Sequence, residues 1–277
     1  MTERLVDIQV VLPDEAAAMR PAELIDLGVA AEALGYHTVW LPDHLLPPDD
    51  YGNVFGGVYE PLITLSYLAA RTTTIRLATS VLVLPMRNPF VVAKQVATLD
   101  RLSEGRMNLG VGVGWNRTEF DAVGADFRTR GARTDEAIAL LRHLFGGGRG
   151  PFPGKFYGYE TGVFEPKPTR HVPITVGGTS DRALQRAAAL ADEWQGVNLA
   201  PEQFARCLVR LGELGERQIR VGTRIECADE SQLGETVEQT RAFAEAGADA
   251  VAIRFGAVEG FAARMTEFAE RWSAKGR

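Results

Sequence analysis

At 277 residues, 45% hydrophobic and 24% charged, the chain is long enough for one large core, and a (β/α) barrel takes about 250 residues as a single domain. A formal net charge of -6 and a pI near 5.4, with no run of Lys or Arg, exclude the basic stripe that nucleic-acid binding needs. Cys207 and Cys227 are the two cysteines; without CxxC spacing they argue against a disulfide framework or a zinc site, and no apolar run approaches a membrane span.

In chain order, Met1-Thr2-Glu3-Arg4 leads into an apolar strand with no basic leader or cleavage motif, so a cytoplasmic location is expected. Short β-branched runs then alternate with helical patterns, the signature of a parallel sheet with crossover helices. Strands are predicted at Leu5 to Leu12, Thr38 to Leu41, Ile75 to Val81 and Met107 to Val113, then at Val172 to Val176, Glu193 to Val197, Ile219 to Ile225 and Ala250 to Arg254. Helices are predicted at Pro21 to Leu34, Pro61 to Arg71, Pro89 to Leu102 and Arg133 to Phe145, then at Asp181 to Leu190, Pro201 to Leu214, Gln232 to Ala246 and Gly260 to Ala274. Pro21, Pro61, Pro89 and Pro201 suit first helical turns, and Gly35, Gly105 and Gly247 suit helix ends. The fold class is therefore α/β, a (β/α)8 TIM barrel with loop insertions, spanning 1–277 as one domain. An insertion at about 146–171 carries Gly146-Gly147-Gly148, Pro151, Pro153 and the aromatic run Phe156-Tyr157-Gly158-Tyr159, which suggests a short hairpin. Leu45 to Glu60 follows the second strand and is placed to cover the strand ends. For both segments a lid and a plain surface loop stand as alternatives.

Barrel active sites lie at the C-terminal ends of the strands, so chemistry is sought there. Asp43-His44 ends the second strand, where an imidazole beside a carboxylate suits proton transfer; the alternative is a capping pair. Thr79-Ser80-Val81 ends the third strand, and on its residues alone ordinary core packing is the favoured reading. Gly110-Val111-Gly112-Val113-Gly114 ends the fourth, with glycines that let a backbone approach a ring or another strand. It is not a dinucleotide fingerprint, because Trp115 and Asn116 stand where the third glycine is required. Gly177-Gly178-Thr179-Ser180 opens the helix at Asp181, so its N–H groups and the helix dipole suit a phosphate; an N-cap is the alternative. The Arg128, Arg130 and Arg133 cluster suits an acidic cofactor tail or a solvated helix start. No HxH or HExxH pair occurs, so no metal site is expected.

Ala31-Glu32-Ala33-Leu34-Gly35-Tyr36 leading to Trp40-Leu41-Pro42-Asp43-His44, then Arg76 to Val81, Arg87-Asn88-Pro89 and Leu99-Asp100-Arg101-Leu102-Ser103-Glu104-Gly105-Arg106, stand in a characteristic order. With Gly112-Val113-Gly114-Trp115, Glu165-Pro166-Lys167-Pro168 and Val176-Gly177-Gly178-Thr179, they make nearly the whole chain resemble the luciferase-like flavin-dependent oxidoreductase/monooxygenase family, in its F420-dependent branch. The resemblance implies a ring at the strand ends, held against Thr79, Ser80 and Val81 with a non-proline cis peptide at Ser80-Val81. It also implies Gly112 and Gly114 beside the cofactor, and a phosphate site at Gly177, Gly178 and Thr179 with Asn198 nearby. His44 and Asp43 become the proton-transfer residues of a hydride exchange between F420 and a small organic substrate. Sugar-phosphate members carry an acid where this chain has Trp115; Glu119, one turn onward, is not assumed to replace it. That leaves an apolar, aromatic-lined substrate pocket for which Tyr51, Phe55 and Trp115 are the candidates, with core packing the equal alternative for each. The alternatives are a luciferase-like monooxygenase using reduced FMN and O2, and a non-catalytic flavin-binding subunit. The implied partners are a flavin or F420 reductase and a second copy of the chain, in a homodimer through the helices at Pro61 to Arg71 and Pro89 to Leu102, with no nucleic acid and no membrane.

Overall fold

A computed structural model describes residues 6–13, 19–147 and 149–274. Met1 to Leu5 and Gly148, which figured in the sequence reading, lie outside the described residues. The strands are β1 (Asp7–Val11), β2 (Thr38–Leu41), β3 (Arg76–Thr79), β4 (Leu82–Val83), β5 (Met107–Gly112), β6 (Ile174–Gly177), β7 (Glu193–Val197), β8 (Arg220–Glu226) and β9 (Ala250–Arg254). All pair in parallel, in the order β3-β2-β1-β9-β8-β7-β6-β5-β4, and β3 also pairs with β5, which closes the barrel. Because β4 prolongs β3 along β5, the two make one stave, and the architecture is an eight-stave (β/α) barrel.

The third stave departs from the continuous strand expected at Ile75 to Val81. Its ladder breaks at Ser80: Thr79 turns its Oγ1 onto the Gly110 carbonyl (2.7 Å), and Ser80 N–H donates to Leu41 O (2.7 Å). Gly110 permits this, because a Cβ there would collide with the Thr79 carbonyl and lie 3.1 Å from the Trp40 ring. Trp40 fills the barrel interior together with Val11, Ala78 and Ala252, one large side chain among small ones. Its indole N–H donates to Gln9 Oε1 (2.8 Å). The larger apolar cluster lies between the strands and the surrounding helices, where Val10, Val39, Leu77 and Ile253 meet Leu65, Val96 and Phe268.

The helices are α1 (Pro21–Ala33), α2 (Gly52–Phe55), α3 (Pro61–Ala69), α4 (Pro89–Leu102), α5 (Arg117–Ala122), α6 (Arg130–Gly146), α7 (Asp181–Leu190), α8 (Pro201–Leu214), α9 (Leu233–Glu245) and α10 (Phe261–Ala274). Helix α6 begins three residues before the expected Arg133, because the Asp126 side chain caps a tight turn at Phe127–Thr129 that runs straight into it. Helices α2 and α5 were not expected. Short as it is, α5 is capped by Asn116, whose Oδ1 accepts from Thr118 N (2.9 Å), and it buries Glu119 and Phe120.

The two long connections behave differently. Residues 149–170 form a narrow hairpin with antiparallel bridges Arg149–Val163 and Phe152–Tyr159. Glu136 of α6 accepts from the N–H groups of Lys155, Phe156 and Tyr157 (2.9, 2.7 and 2.7 Å), and Thr169 N–H donates to Asp100 of α4 (2.6 Å). This hairpin braces the outside of the barrel and is not a lid. Residues 45–60 instead lie across the strand ends, tied at one end by Leu45 and Leu46 to Glu119 and at the other by Glu60 to Arg87 (2.8 Å).

Candidate active site

Asp43 and His44 leave β2 at the mouth of the barrel and then part company. The Asp43 side chain is buried and accepts from Val83 N (2.8 Å), Arg87 Nε (3.1 Å) and Arg87 Nη2 (2.6 Å). Burial alone would lower the Arg87 pKa, but hydrogen bonds and charge from Asp43 and then Glu60 outweigh it and raise the guanidinium above its ordinary value. Asp43, expected as the proton-transfer partner of His44, is thus turned to Arg87 and ties β2 to the β4–α4 connection.

The partner of His44 is Glu119. His44 Nδ1 lies 3.1 Å from Glu119 Oε2, while Glu119 Oε1 accepts from Leu45 N (2.8 Å) and Leu46 N (3.1 Å). Glu119 reaches this place because α5 points its first turn back under the residues 45–60 segment. The carboxylate is 3% exposed and the imidazole 11%. The ring of His44 stacks on Phe55 at 4.3 Å and 17° and meets the edge of Trp115 at 6.1 Å. Tyr51 closes the group, 5.0 Å from Trp115 and 6.2 Å from Phe55. Phe55 and Trp115 therefore flank His44 and Tyr51 packs on both of them, with Trp115 still 53% exposed.

Beside them is the bulge of the third stave, where the Ser80–Val81 peptide is cis. The space at Gly112 is filled by Val81, and a Cβ on Gly177 would lie 2.8 Å from the same side chain. Gly114 holds φ at +74°, with Val83 and Phe120 at 2.6 and 2.7 Å from where its Cβ would stand. These glycines accommodate neighbouring side chains of the protein, Val81 beside Gly112 and Gly177, and Val83 and Phe120 beside Gly114. Across the barrel Arg224 of β8 reaches Ser80 Oγ (3.4 Å).

At the turn into α7, the Gly178 N–H is not free as expected: it donates to Gln195 O (3.2 Å), and its carbonyl accepts from Trp194 Nε1 (2.8 Å). Ser180 caps the helix through Ala183 N (3.3 Å), leaving Thr179 exposed. Asn198 adopts the left-handed conformation just past β7 (φ +56°) and is exposed. Arg130 spans from the Phe127 ring (3.8 Å) to the Gly114 carbonyl (3.3 Å), which brings the arginine cluster to the rim. Arg182 of α7 lines an adjoining groove of about 430 Å³ between α6 and α7.

The profile of the family described as luciferase-like monooxygenase matches residues 6–270. The chain belongs to this family. Within the luciferase-like group, an F420-dependent glucose-6-phosphate dehydrogenase of Kineococcus radiotolerans is 32% identical over 245 residues, covering 85% of this chain and 68% of that protein. An F420-dependent secondary alcohol dehydrogenase solved with an F420-acetone adduct superposes with a TM-score of 0.83 at 19% identity, covering 96% of this chain and 97% of that one. A monooxygenase from Streptomyces bottropensis superposes with a TM-score of 0.81, also at 19% identity, covering 98% and 100%. At those identities the two structures show the shared luciferase-like fold.

Arg87, Arg224 and Glu119 were missed as site residues in the sequence. A signal for Glu119 was present: Asn116 followed three residues later by an acid is the pattern of a helix start. Its direction, back toward His44, has no sequence signature.

Proposed function

We propose that this protein is a cytoplasmic F420-dependent oxidoreductase that moves a hydride to or from a small organic molecule, with His44 as proton donor or acceptor. The observation that carries the reading is His44 itself, an imidazole held by a buried carboxylate and enclosed by Phe55, Tyr51 and Trp115 at the barrel mouth. The F420-dependent relative at 32% identity over 85% of the chain supports it.

The residues at the mouth suit such a cofactor. Asn116 Nδ2 is a buried donor without a partner, and Ser80 and Arg224 add donors beside Val81; these fit a flat ring rich in acceptors. At the turn of Gly177, Gly178 and Thr179 the Gly178 N–H is taken by Gln195, so exposed Thr179, with Asn198, would receive the phosphate. Among the described residues, Arg128, Arg130, Arg133 and Arg182 form no ion pair, whereas Arg186 is paired with Asp135. Asp126 balances part of the charge of Arg128 and Arg133, and the remaining arginines favour the long anionic tail of F420 over the single phosphate of FMN.

When bound, F420 supplies a ring carbon that takes or releases a hydride. Hydride exchange at an alcohol or carbonyl carbon leaves one proton to be taken up or supplied at oxygen, and His44 handles that proton. Phe55 and Trp115 hold the imidazole and keep water from it. Asp43 and Arg87 fix the backbone that carries it.

Ile63 and Tyr67 on α3 and Val91 and Leu102 on α4 are exposed apolar residues, 54–69% accessible, and a second copy of the chain would cover them. A flavin or F420 reductase would return the cofactor to its reactive state. The monooxygenase reading, with reduced FMN and O2, is supported by the match to the family described as luciferase-like monooxygenase and by the fold shared with the Streptomyces bottropensis monooxygenase.

The deciding experiment is competitive titration of the apoprotein with F420 and FMN, oxidised and reduced, followed by fluorescence. Selective F420 binding is expected. Selective FMN binding would move the protein to oxygen-dependent chemistry, and binding of neither would support a non-catalytic subunit.

A further inference from the structure

We infer that Glu119 is a positioning residue that locks His44 into the Nδ1–H tautomer, so that Nε2 is the nitrogen that exchanges protons at the barrel mouth. As a statement about the imidazole it stands without any ligand; its consequence for turnover rests on the hydride-transfer reading above.

The inference starts from what each atom can offer. A carboxylate has only lone pairs, and a neutral imidazole has one N–H and one bare nitrogen. Glu119 Oε1 is already met by two donors, the N–H groups of Leu45 (2.8 Å) and Leu46 (3.1 Å). Those bonds fix the plane of the carboxylate and aim Oε2 at His44 Nδ1, 3.1 Å away. With an acceptor opposite it, Nδ1 must carry the hydrogen, and Nε2 is left bare. The side chains are 11% and 3% exposed, so little water competes for either.

Rotation offers no escape. The imidazole lies on Phe55 at 4.3 Å and 17°, so the ring keeps its plane, and a 180° flip that preserves that plane would replace Nδ1 by a ring carbon against the carboxylate and forfeit the hydrogen bond. Asp43, the neighbouring acid, is committed to Arg87 and Val83 and does not compete. Glu119 therefore acts through His44 and does not itself meet substrate.

The same bonds make the conservative variant informative. In Glu119→Gln the amide oxygen keeps the two loop N–H donors, and the only orientation that does so turns the NH2 group toward Nδ1. Facing a donor, Nδ1 must become the acceptor and the hydrogen must move to Nε2. The substitution thus inverts the tautomer while preserving the loop contacts. Removing the whole side chain would loosen residues 45–46 as well, so alanine is not the test.

The test is long-range proton–nitrogen NMR of the full chain with 15N-labelled histidine, on the alkaline side of histidine titration. The protein has four histidines, and loss of one signal set in His44→Phe assigns His44. In the wild type, Nδ1 is expected at the protonated and Nε2 at the unprotonated nitrogen position; in E119Q the two exchange. A wild-type Nε2–H tautomer would overturn the inference without any variant, and so would an E119Q spectrum that keeps the wild-type pattern. Neither readout needs cofactor, so a failed F420 titration leaves this result standing, and a wrong tautomer leaves the cofactor assignment untouched. Where F420 does bind, E119Q should keep its affinity and lose turnover through kcat, not KM.

Discussion

Replacing Asp43 by alanine should cost stability because of what it leaves behind. The carboxylate is 1% exposed and serves three donors: Val83 N, Arg87 Nε and Arg87 Nη2. Removing one member of a buried ion pair costs about 3–5 kcal/mol, chiefly through the charge left unpaired. The low end applies here, since Glu60 stays 2.8 Å from Arg87 Nη1 and retains part of the compensation. Orphaning the Val83 N–H adds about 1 kcal/mol, for a total of about 4 kcal/mol. With roughly 2–4 °C lost per kcal/mol in a chain of this size, the melting temperature should fall by about 8–16 °C. Urea unfolding followed by circular dichroism measures it, with an unchanged m-value. The double variant D43L/R87M should recover only part of the loss, because it removes the stranded Arg87 charge but leaves the Val83 N–H orphaned and Glu60 without its partner. A fall below about 1 kcal/mol, the range of an exposed pair, would refute the argument from burial. Normal stability with lost turnover would return Asp43 to the proton-transfer role.

Glu32 provides a pH test: burial pushes its carboxyl up, but the N–H groups of Ile75, Thr74 and Thr73 and the Thr74 hydroxyl pull harder, and its pKa falls from 4.5 to about 2. A depressed carboxylate stabilises the fold above pH 4.5 and loses that contribution as pH drops toward 2, so Glu32→Gln should flatten acid unfolding in that window; identical acid profiles would count against it. Reversing Arg128 and Arg182 to Glu should weaken F420 in proportion to tail length and reduce the salt dependence of binding, whereas equal loss for tailless deazaflavin would remove the tail from this surface. Ile63→Glu with Leu102→Glu should give a monomeric mass by sedimentation where the parent sediments as a dimer; a monomeric parent would end the expectation of a homodimer.

Much of the barrel was legible in the chain. Thr38 to Leu41, Glu193 to Val197 and Ala250 to Arg254 match their observed strands, since a buried parallel strand is a short apolar run between turns. Pro89 and Pro201 mark helix starts because φ is already set there. The break at Ser80 was invisible to periodicity, as it depends on Gly110 of another strand admitting the Thr79 carbonyl. The hairpin at 149–170 was legible as an insertion, but its place outside the barrel depends on Glu136, a residue that looks like any exposed helical acid until three backbone N–H groups close on it.

The candidate site divides along the same line. Local pattern sufficed to put Asp43, His44, Ser80, Trp115 and Gly177 at strand ends, because the order of strand, turn and helix is written in neighbouring residues. What those side chains do once there was settled by partners far along the chain: Arg87 takes Asp43, and Glu119, 75 residues from His44, takes the imidazole. Hydrogen bonds of that span carry no periodicity, since they arise only after barrel closure brings side chains from separate strand ends within bonding distance of one another. The sequence alone therefore determined which strand-end residues face the mouth, and only the tertiary structure brought Arg87, Arg224 and Glu119 to them and decided which are bonded to each other.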